Sequence, residues 1–336
     1  MTRKATLRQV AEHAGVAIGT ASAVFADKQW VSSRVRDAVR QAADELGYEP
    51  RQKRPEPAPV TDVAFISWAG EAFSPANPYF AAVLHGAQQA CADLGISLHY
   101  EVADPARGGL PQAVERGQVS GLLLLSYASD SEYLERIVER GVPCVLLEHE
   151  PIALPVDHVR HDDELGGYLA GKHLLSLAKS PRMPGVITAD ENITPARARL
   201  AGFRRALDEA NVAFDPRYVL RGTFDVASGL RCMNALLDLD VPPRAVFCAN
   251  DESALGALEA ARARGLDVPG DVAVMGFDDV PLAARAEPPL TTIATDKHLI
   301  GVQAVRHLLD RVGNPAMTSR DTRLAVRLVQ RASTRG

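Results

Sequence analysis

Polar and apolar positions in the first fifty residues follow a helical period. Leu7, Val10, Ala11 and Ala14 stand at i, i+3, i+4 and i+7, one face of a short helix. Thr6 and Gln9 frame its start in the S/T-x-x-E/Q form of a capping box, and Gly15 supplies its stop. A second helix is expected over residues 18–25, with Ala21, Val24 and Phe25 inward. A third starts at Ser32 or Ser33 and ends at Gly47, with Val35, Val39, Ala42, Ala43 and Leu46 apolar. Three short helices, the first two joined by a glycine turn, predict a helix-turn-helix unit.

From residue 63 the pattern changes to short apolar runs alternating with amphipathic stretches. Strands are expected at 63–66, 96–100, 121–125, 144–147, 184–188, 218–220, 245–248 and 272–275. Helices are expected at 79–94, 130–140, 163–178, 196–211, 226–237 and 252–264. Such alternation predicts an α/β body of parallel sheets with helices on both faces, and ligands bind such sheets beyond the carboxyl ends of the strands. Between head and body, Pro55, Pro57 and Pro59 alternate, which forbids an ordinary helix and favours an extended strut.

A chain of 336 residues exceeds one ordinary core, consistent with this division. Neither a signal-peptide pattern nor an apolar run of membrane-spanning length is present in the sequence, so a cytoplasmic protein is expected. Cys91, Cys144, Cys232 and Cys248 are scattered, without a CxxC pair, and read as buried reduced thiols. Net charge is −5, unevenly spread: residues 1–54 hold 10 Lys and Arg against 6 Asp and Glu, the remainder 27 against 36. A basic head on an acidic body suits a polyanion at one end only. Nucleotide loops, nucleophile elbows and metal-spaced clusters are missing from the sequence, so no enzyme activity, cofactor or metal is expected.

The wording of the chain adds a resemblance. Thr6-Leu7, Val10-Ala11, Ala14-Gly15-Val16-Ala17 and Thr20-Ala21-Ser22, then Val31-Ser32 and Leu46-Gly47-Tyr48, resemble the head of the lactose/galactose repressor (LacI/GalR) family. In the body, Asn77-Pro78-Tyr79-Phe80, Arg199-Leu200-Ala201-Gly202-Phe203, Phe247-Cys248-Ala249-Asn250-Asp251, Gly276-Phe277-Asp278-Asp279 and Pro289-Leu290-Thr291-Thr292-Ile293 are similar to that family's phrases.

The resemblance implies a transcriptional regulator, expected to be a repressor. Its all-α head would read a double-stranded, pseudo-palindromic DNA operator. Its periplasmic-binding-protein-like body, two doubly wound parallel-sheet subdomains, would hold a small-molecule effector, a sugar or sugar derivative, and form a homodimer. The implied divisions are a head at 1–48, a linker at 49–62 and a body at 63–331. Within the body, one subdomain takes 63–160 with 295–319 and the other 161–294 with 323–331, the final strand being placed at 323–329.

Carried over by position, Ile18, Gly19 and Ala23 are base-facing, Thr6, Thr20 and Ser22 are candidate phosphate contacts, and Ala17 is a further DNA-binding position. Ile18, Gly19 and Ala23 depart from the family, which carries polar side chains there. Reading is then expected to lean on a thymine methyl, on phosphates and on DNA shape. The linker departs too: it has no leucine to wedge into the minor groove, and Arg51, Lys53 and Arg54 are left to follow phosphates. For the effector, the resemblance implies Arg199, Asn250 and Asp278 as polar anchors and Phe224 as an aromatic wall. Tyr79, Phe80, Trp68, Glu148 and His161 are further pocket positions. The residues alone leave alternatives open: an Arg199–Asp278 ion pair, helix-start packing of Tyr79 and Phe80, a sensor with weakened DNA reading, or a solute-binding protein.

Overall fold

The computed structural model describes residues 5–26, 28, 30–48, 60–68, 77–104, 108–125, 131–177 and 183–335. The chain divides into two compact units, Met1–Ala58 and Pro59–Gly336. Arg51, Lys53, Arg54 and most of the expected linker lie outside the described residues.

The first unit holds α1 (Leu7–His13), α2 (Ile18–Phe25) and α3 (Ser33–Leu46). The capping box closes as expected: the Thr6 amide donates to Gln9 Oε1 at 2.9 Å, and the Gln9 amide donates to Thr6 Oγ1 at 3.4 Å. Gly47 ends α3 in the left-handed region, φ 62°. Val10, Ala21, Val24, Val39 and Ala42 form a dry centre.

The second unit opens with β1 (Asp62–Trp68), α4 (Pro78–Ala92), β2 (Ser97–Ala103), α5 (Gln112–Arg116), β3 (Gly121–Leu125), α6 (Ser131–Val138), β4 (Cys144–Leu147) and β5 (Asp157–His161). Then come α7 (Asp163–Ser176), β6 (Gly185–Thr188), α8 (Thr194–Glu209), β7 (Val219–Arg221), α9 (Val226–Leu237), β8 (Ala245–Cys248), α10 (Asp251–Ala263) and β9 (Ala273–Met275). It closes with β10 (Thr292–Ala294), α11 (Lys297–Gly313), β11 (Asp321–Leu324) and β12 (Arg327–Val329).

Two parallel sheets result, ordered β11-β5-β4-β3-β1-β2 and β7-β6-β8-β9, with β10 and β12 an antiparallel pair. Both sheets are covered on both faces, because successive strand residues point to opposite sides. Phe65, Leu123 and Val145 pack under α4 and α11, while Ile66, Leu122, Leu124 and Leu146 share a core with α6. In the second sheet Val186, Phe247 and Met275 meet α7 and α8, while Ile187, Val246, Cys248 and Val274 meet α9 and α10. Among the described residues no helix is long and apolar enough to cross a membrane.

Two features differ from the sequence pattern. β5 reads Asp-His-Val-Arg-His, yet all five residues are buried. Partners from distant segments make this tolerable: Arg311 and the Arg320 amide donate to Asp157, and Arg160 grips Asp321 with two bonds of 2.8 Å. The final strand expected at 323–329 is two strands. β11 pairs with β5 in the first sheet and β12 pairs with β10, so the chain leaves the first sheet at 325–326 instead of 320–322. His161 likewise belongs to the first sheet and not to the second half.

Candidate functional site

The cleft is assembled from strand ends. Glu148 follows β4, His161 ends β5, Asn250 follows β8, and Asp278 follows β9. Asn77 and Tyr79 at the start of α4 line, with Pro195, Arg199, Phe224, Asn250 and Asp278, a space of about 40 Å³. Small-molecule sites usually measure roughly 300 Å³ or more, so occupancy requires these facing elements to part. A larger hollow of about 1130 Å³ opens among Pro242, Pro243, Pro269 and Tyr218, where β6 to β9 begin. Open α/β sheets bind ligands at the opposite ends of their strands, so the smaller space carries the argument.

Arg199 is the hub. Its Nε donates to Asp163 Oδ1 at 2.8 Å, Nη1 donates to the Ala249 carbonyl, and the guanidinium lies 3.7 Å from the Phe277 ring centroid. Its Nη2 forms an ion pair with Asp278 Oδ1 at 3.6 Å, beyond hydrogen-bond reach, and that buried oxygen accepts no hydrogen bond among the described residues. Burial opposes the charge on Arg199, but Asp163 and Asp278 outweigh it and raise its pKa. Burial pushes the Asp278 carboxyl up to about 6 despite Arg199 and Lys297, and raises Asp163 as well.

Packing sets this geometry. In α7 and α8 a Cβ at Gly167 would lie 1.9 Å from the Arg199 carbonyl oxygen, and one at Gly202 would lie 1.8 Å from that of Glu164. Only glycine lets these helices approach closely enough for Arg199 to reach Asp163. Asn250 is spent at both ends: Oδ1 caps α10 by accepting from the Ser253 amide, and Nδ2 donates to the Phe224 carbonyl at 2.8 Å. Asp251 holds the segment carrying Asp278, accepting from Thr292 Oγ1 at 2.6 Å and the Val280 amide at 2.8 Å. Burial, then the charge of Asp278, lifts the Asp251 carboxyl to about 8. Glu148, Phe224, Asp278 and Asp279 adopt positive φ of 56°, 62°, 112° and 56°. Such backbone strain, about 1–3 kcal/mol per residue, concentrates where function demands a particular side-chain direction.

The structure brings Arg199, Asn250, Asp278, Phe224 and Tyr79 together and places Glu148 and His161 behind Tyr79. Two expected pocket residues are corrected. Phe80 is fully buried in the first sheet's core, 5.8 Å and edge-on to both Phe65 and Tyr100, because its position on α4 points down onto the strands. Trp68 packs edge-on to Tyr133 at 5.6 Å within the core on the other face of that sheet. Asn77, Pro195 and the pairing of Asp163 with Arg199 escaped the sequence reading. Asp163 follows a strand end, and that position was the available clue.

On the head, Ala17 precedes α2 and provides no side-chain cap, leaving its first turn uncapped by any side chain. Ile18 is 48% exposed, and an added Cβ at Gly19 would meet nothing within 4 Å. Ala17, Ser22 and Thr6 are exposed and Thr20 is half-buried. Ala23 is corrected: it is 8% exposed and joins Val10 and Val39 in the core, so its methyl is unavailable to a base.

Residues 6–51 match the family described as bacterial regulatory proteins, lacI family, and residues 172–334 match the periplasmic binding protein-like domain. The chain is 34% identical over 315 residues to the HTH-type transcriptional repressor PurR of Haemophilus influenzae, covering 92% of this chain and 91% of that one. The chain belongs to the LacI family. Solved LacI-type structures resemble it throughout. The transcriptional regulator CelR–cellobiose complex superposes with a TM-score of 0.73 at 32% identity, covering 98% of this chain and 99% of that one. The lac repressor dimer bound to operator and the anti-inducer ONPF gives 0.71 at 27% identity, covering 99% of each. This LacI-family chain is a DNA-binding transcriptional regulator whose body answers to a small molecule.

Proposed function

We propose that this regulator is a repressor, working in the cytoplasm as a homodimer on a pseudo-palindromic operator, and that its effector is a sugar or sugar derivative. The observation that carries the effector class is the Arg199–Asp278 gap. A buried carboxylate oxygen that accepts no hydrogen bond among the described residues stands 3.6 Å from the guanidinium nitrogen with which it is ion-paired. A hydroxyl group, which donates and accepts at once, satisfies both sides, and Phe224 and Tyr79 offer rings to the apolar face of a sugar. The cellobiose bound by CelR supports the same class.

For DNA, α2 supplies the reading surface. Its open N-terminal amides, Gly19 without a side chain, and Thr6, Thr20 and Ser22 suit phosphates, while Ile18 suits a thymine methyl. Calorimetry of the purified full chain against neutral mono- and disaccharides, repeated with Asp278→Asn, tests the effector reading. Binding of a sugar that fails in the variant supports it, whereas a full panel without heat overturns it. Operator selection from random DNA, scored at two salt concentrations, tests the head: an enriched two-fold site is expected, and uniform recovery of all sequences overturns operator reading.

A further inference from the structure

The turn that carries Asp278 is held from outside the cleft. Asp278 and Asp279, shortly after β9, are consecutive non-glycine residues with positive φ, 112° and 56°. Such a pair keeps this conformation only where its surroundings over-determine it. Its main chain is held by the 292–297 segment. The Asp278 amide donates to the Ile293 carbonyl at 2.8 Å, the Asp279 amide donates to Thr292 Oγ1 at 3.4 Å, and Lys297 Nζ donates to both carbonyls. The Asp279 side chain is held by a different part of the chain, the tail beyond β12. There the Arg331 guanidinium forks, Nη2 donating to Asp279 Oδ1 at 2.7 Å and Nη1 to the Leu290 carbonyl at 2.9 Å. The tail itself is pinned. The Arg331 amide donates to Thr291 Oγ1 at 2.8 Å, and the Ser333 amide donates to the Pro289 carbonyl at 3.0 Å. Ser333 Oγ donates to the Val274 carbonyl of β9 at 2.6 Å and accepts from the Thr291 amide at 2.8 Å, and Ser333 and Thr334 are buried.

We propose that Arg331 is a positioning residue for effector binding: by gripping Asp279 from the C-terminal tail, it fixes the turn that presents the Asp278 carboxylate to the bound molecule. The proposal rests on the reading that Asp278 anchors the effector. Arg331 itself is not among the residues lining the cleft. Asp278 and Asp279 share one peptide plane, so a rotation of Asp279 toward the common extended region turns that plane and carries the Asp278 side chain with it. The gripped carboxylate opposes the rotation, because the guanidinium holding it is anchored at a second point on the Leu290 carbonyl. Arginine suits this task, since its planar fork serves both acceptors at once, whereas a lysine ammonium offers a single point charge. The groups that act electrostatically on Asp278 are Arg199 on α8, Lys297 on α11, Asp163 on α7 and His161 ending β5, so Arg331 works on it through geometry and not through charge.

Carbon-13 NMR of aspartate carboxyl carbons in the full chain tests this without a ligand, the Asp278 resonance being the one that Asp278→Asn removes. In the wild type it should titrate near the raised value of about 6 that burial imposes. In Arg331→Met the carboxyl leaves its buried pose, and the midpoint should fall toward the ordinary ~3.9. Arg331→Lys, which keeps a cation for Asp279, should hold it near the wild-type value. A role in stability alone would lower the melting temperature of Arg331→Met and leave the midpoint where it was. Asp279→Asn weakens the same grip while tolerating the left-handed backbone, so it should lower the midpoint too, and it serves if Arg331→Met fails to fold. An Asp278 midpoint unmoved in the folded variants overturns the role of Arg331. Calorimetry with cellobiose, D-ribose and D-galactose gives the functional arm. A sugar that binds the wild type should bind Arg331→Met about tenfold or more weakly, with affinity regained in Arg331→Lys. Undiminished sugar binding by a variant whose Asp278 has moved overturns Asp278 as the anchor, and with it the effector role of Arg331. If none of the three sugars binds although Asp278 moves, the sugar reading is overturned and the hold of Arg331 on Asp278 is upheld.

Discussion

Arg199 and Asp278 show how one residue pair divides into stability and function. Replacing Arg199 with Ala leaves Asp163 and Asp278 buried without their cation. The expected cost is about 3–5 kcal/mol of body stability, read by urea unfolding. Asp278→Asn has the opposite expectation. Its raised pKa means that the folded chain disfavours the ionised form, so the neutral amide should match or exceed wild-type stability at pH 8 while effector binding is lost. A variant that loses both together would place Asp278 in the fold's framework. At the head, Ile18→Ala removes an exposed side chain, so the melting temperature should hold while discrimination at one thymine position drops. Unchanged operator preference by competition gel shift would remove Ile18 from base reading.

At the scale of elements, glycines decide which helices pair. The α7–α8, α9–α10 and α4–α11 contacts each use reciprocal glycines: Gly167 and Gly202, Gly229 and Gly256, Gly86 and Gly301. In every one of these, an added Cβ would fall within 2.2 Å of a facing backbone oxygen. Gly202→Ala must therefore push α8 away from α7, at a cost of about 1–3 kcal/mol. Because Arg199 rides on α8 and Asp163 on α7, effector affinity should fall although residue 202 lies outside the cleft. Calorimetry and thermal unfolding on the same sample check both effects, and a variant with lowered stability but native affinity would break the link. The strands of the body were largely legible because their apolar runs carry the signal. β5 was not, since its polar residues are buried only by virtue of Arg311, Arg320 and Asp321, which arrive from more than 150 residues away. No local pattern encodes such partners.

For the whole molecule, the pH dependence of stability follows from its buried carboxyls. Asp251 is raised to about 8, Asp278 to about 6, and Asp163 is raised too. The folded chain keeps protons on these groups that the unfolded chain has shed above pH ~4. Stability therefore falls as pH rises, through about 6 for Asp278 and about 8 for Asp251. His161, a raised base, adds a loss of the same sign as it deprotonates. Glu148, Asp157 and Asp321 are lowered by their cationic partners, against the pull of burial in all three, and their contribution is lost only on the acid side. Melting curves of the full chain should thus decline from pH 6 to pH 8.5, and Asp251→Asn should flatten the decline. Stability that climbs across that interval would contradict the assignment.

Local periodicity and wording determined the helix-turn-helix head, the α/β alternation of the body, and the strand ends on which Asn250 and Asp278 stand, because each depends on neighbours a few residues apart. Arg199 was legible only through its family phrase. Tertiary structure alone decided that Phe80, Trp68 and Ala23 turn into cores, that Asp163 belongs to Arg199, and that Tyr79, Glu148 and His161 share one buried network. The physical reason is common to all of them. A side chain's role is set by what faces it across a helix pair or a cleft, and those partners come from segments that the sequence keeps far apart.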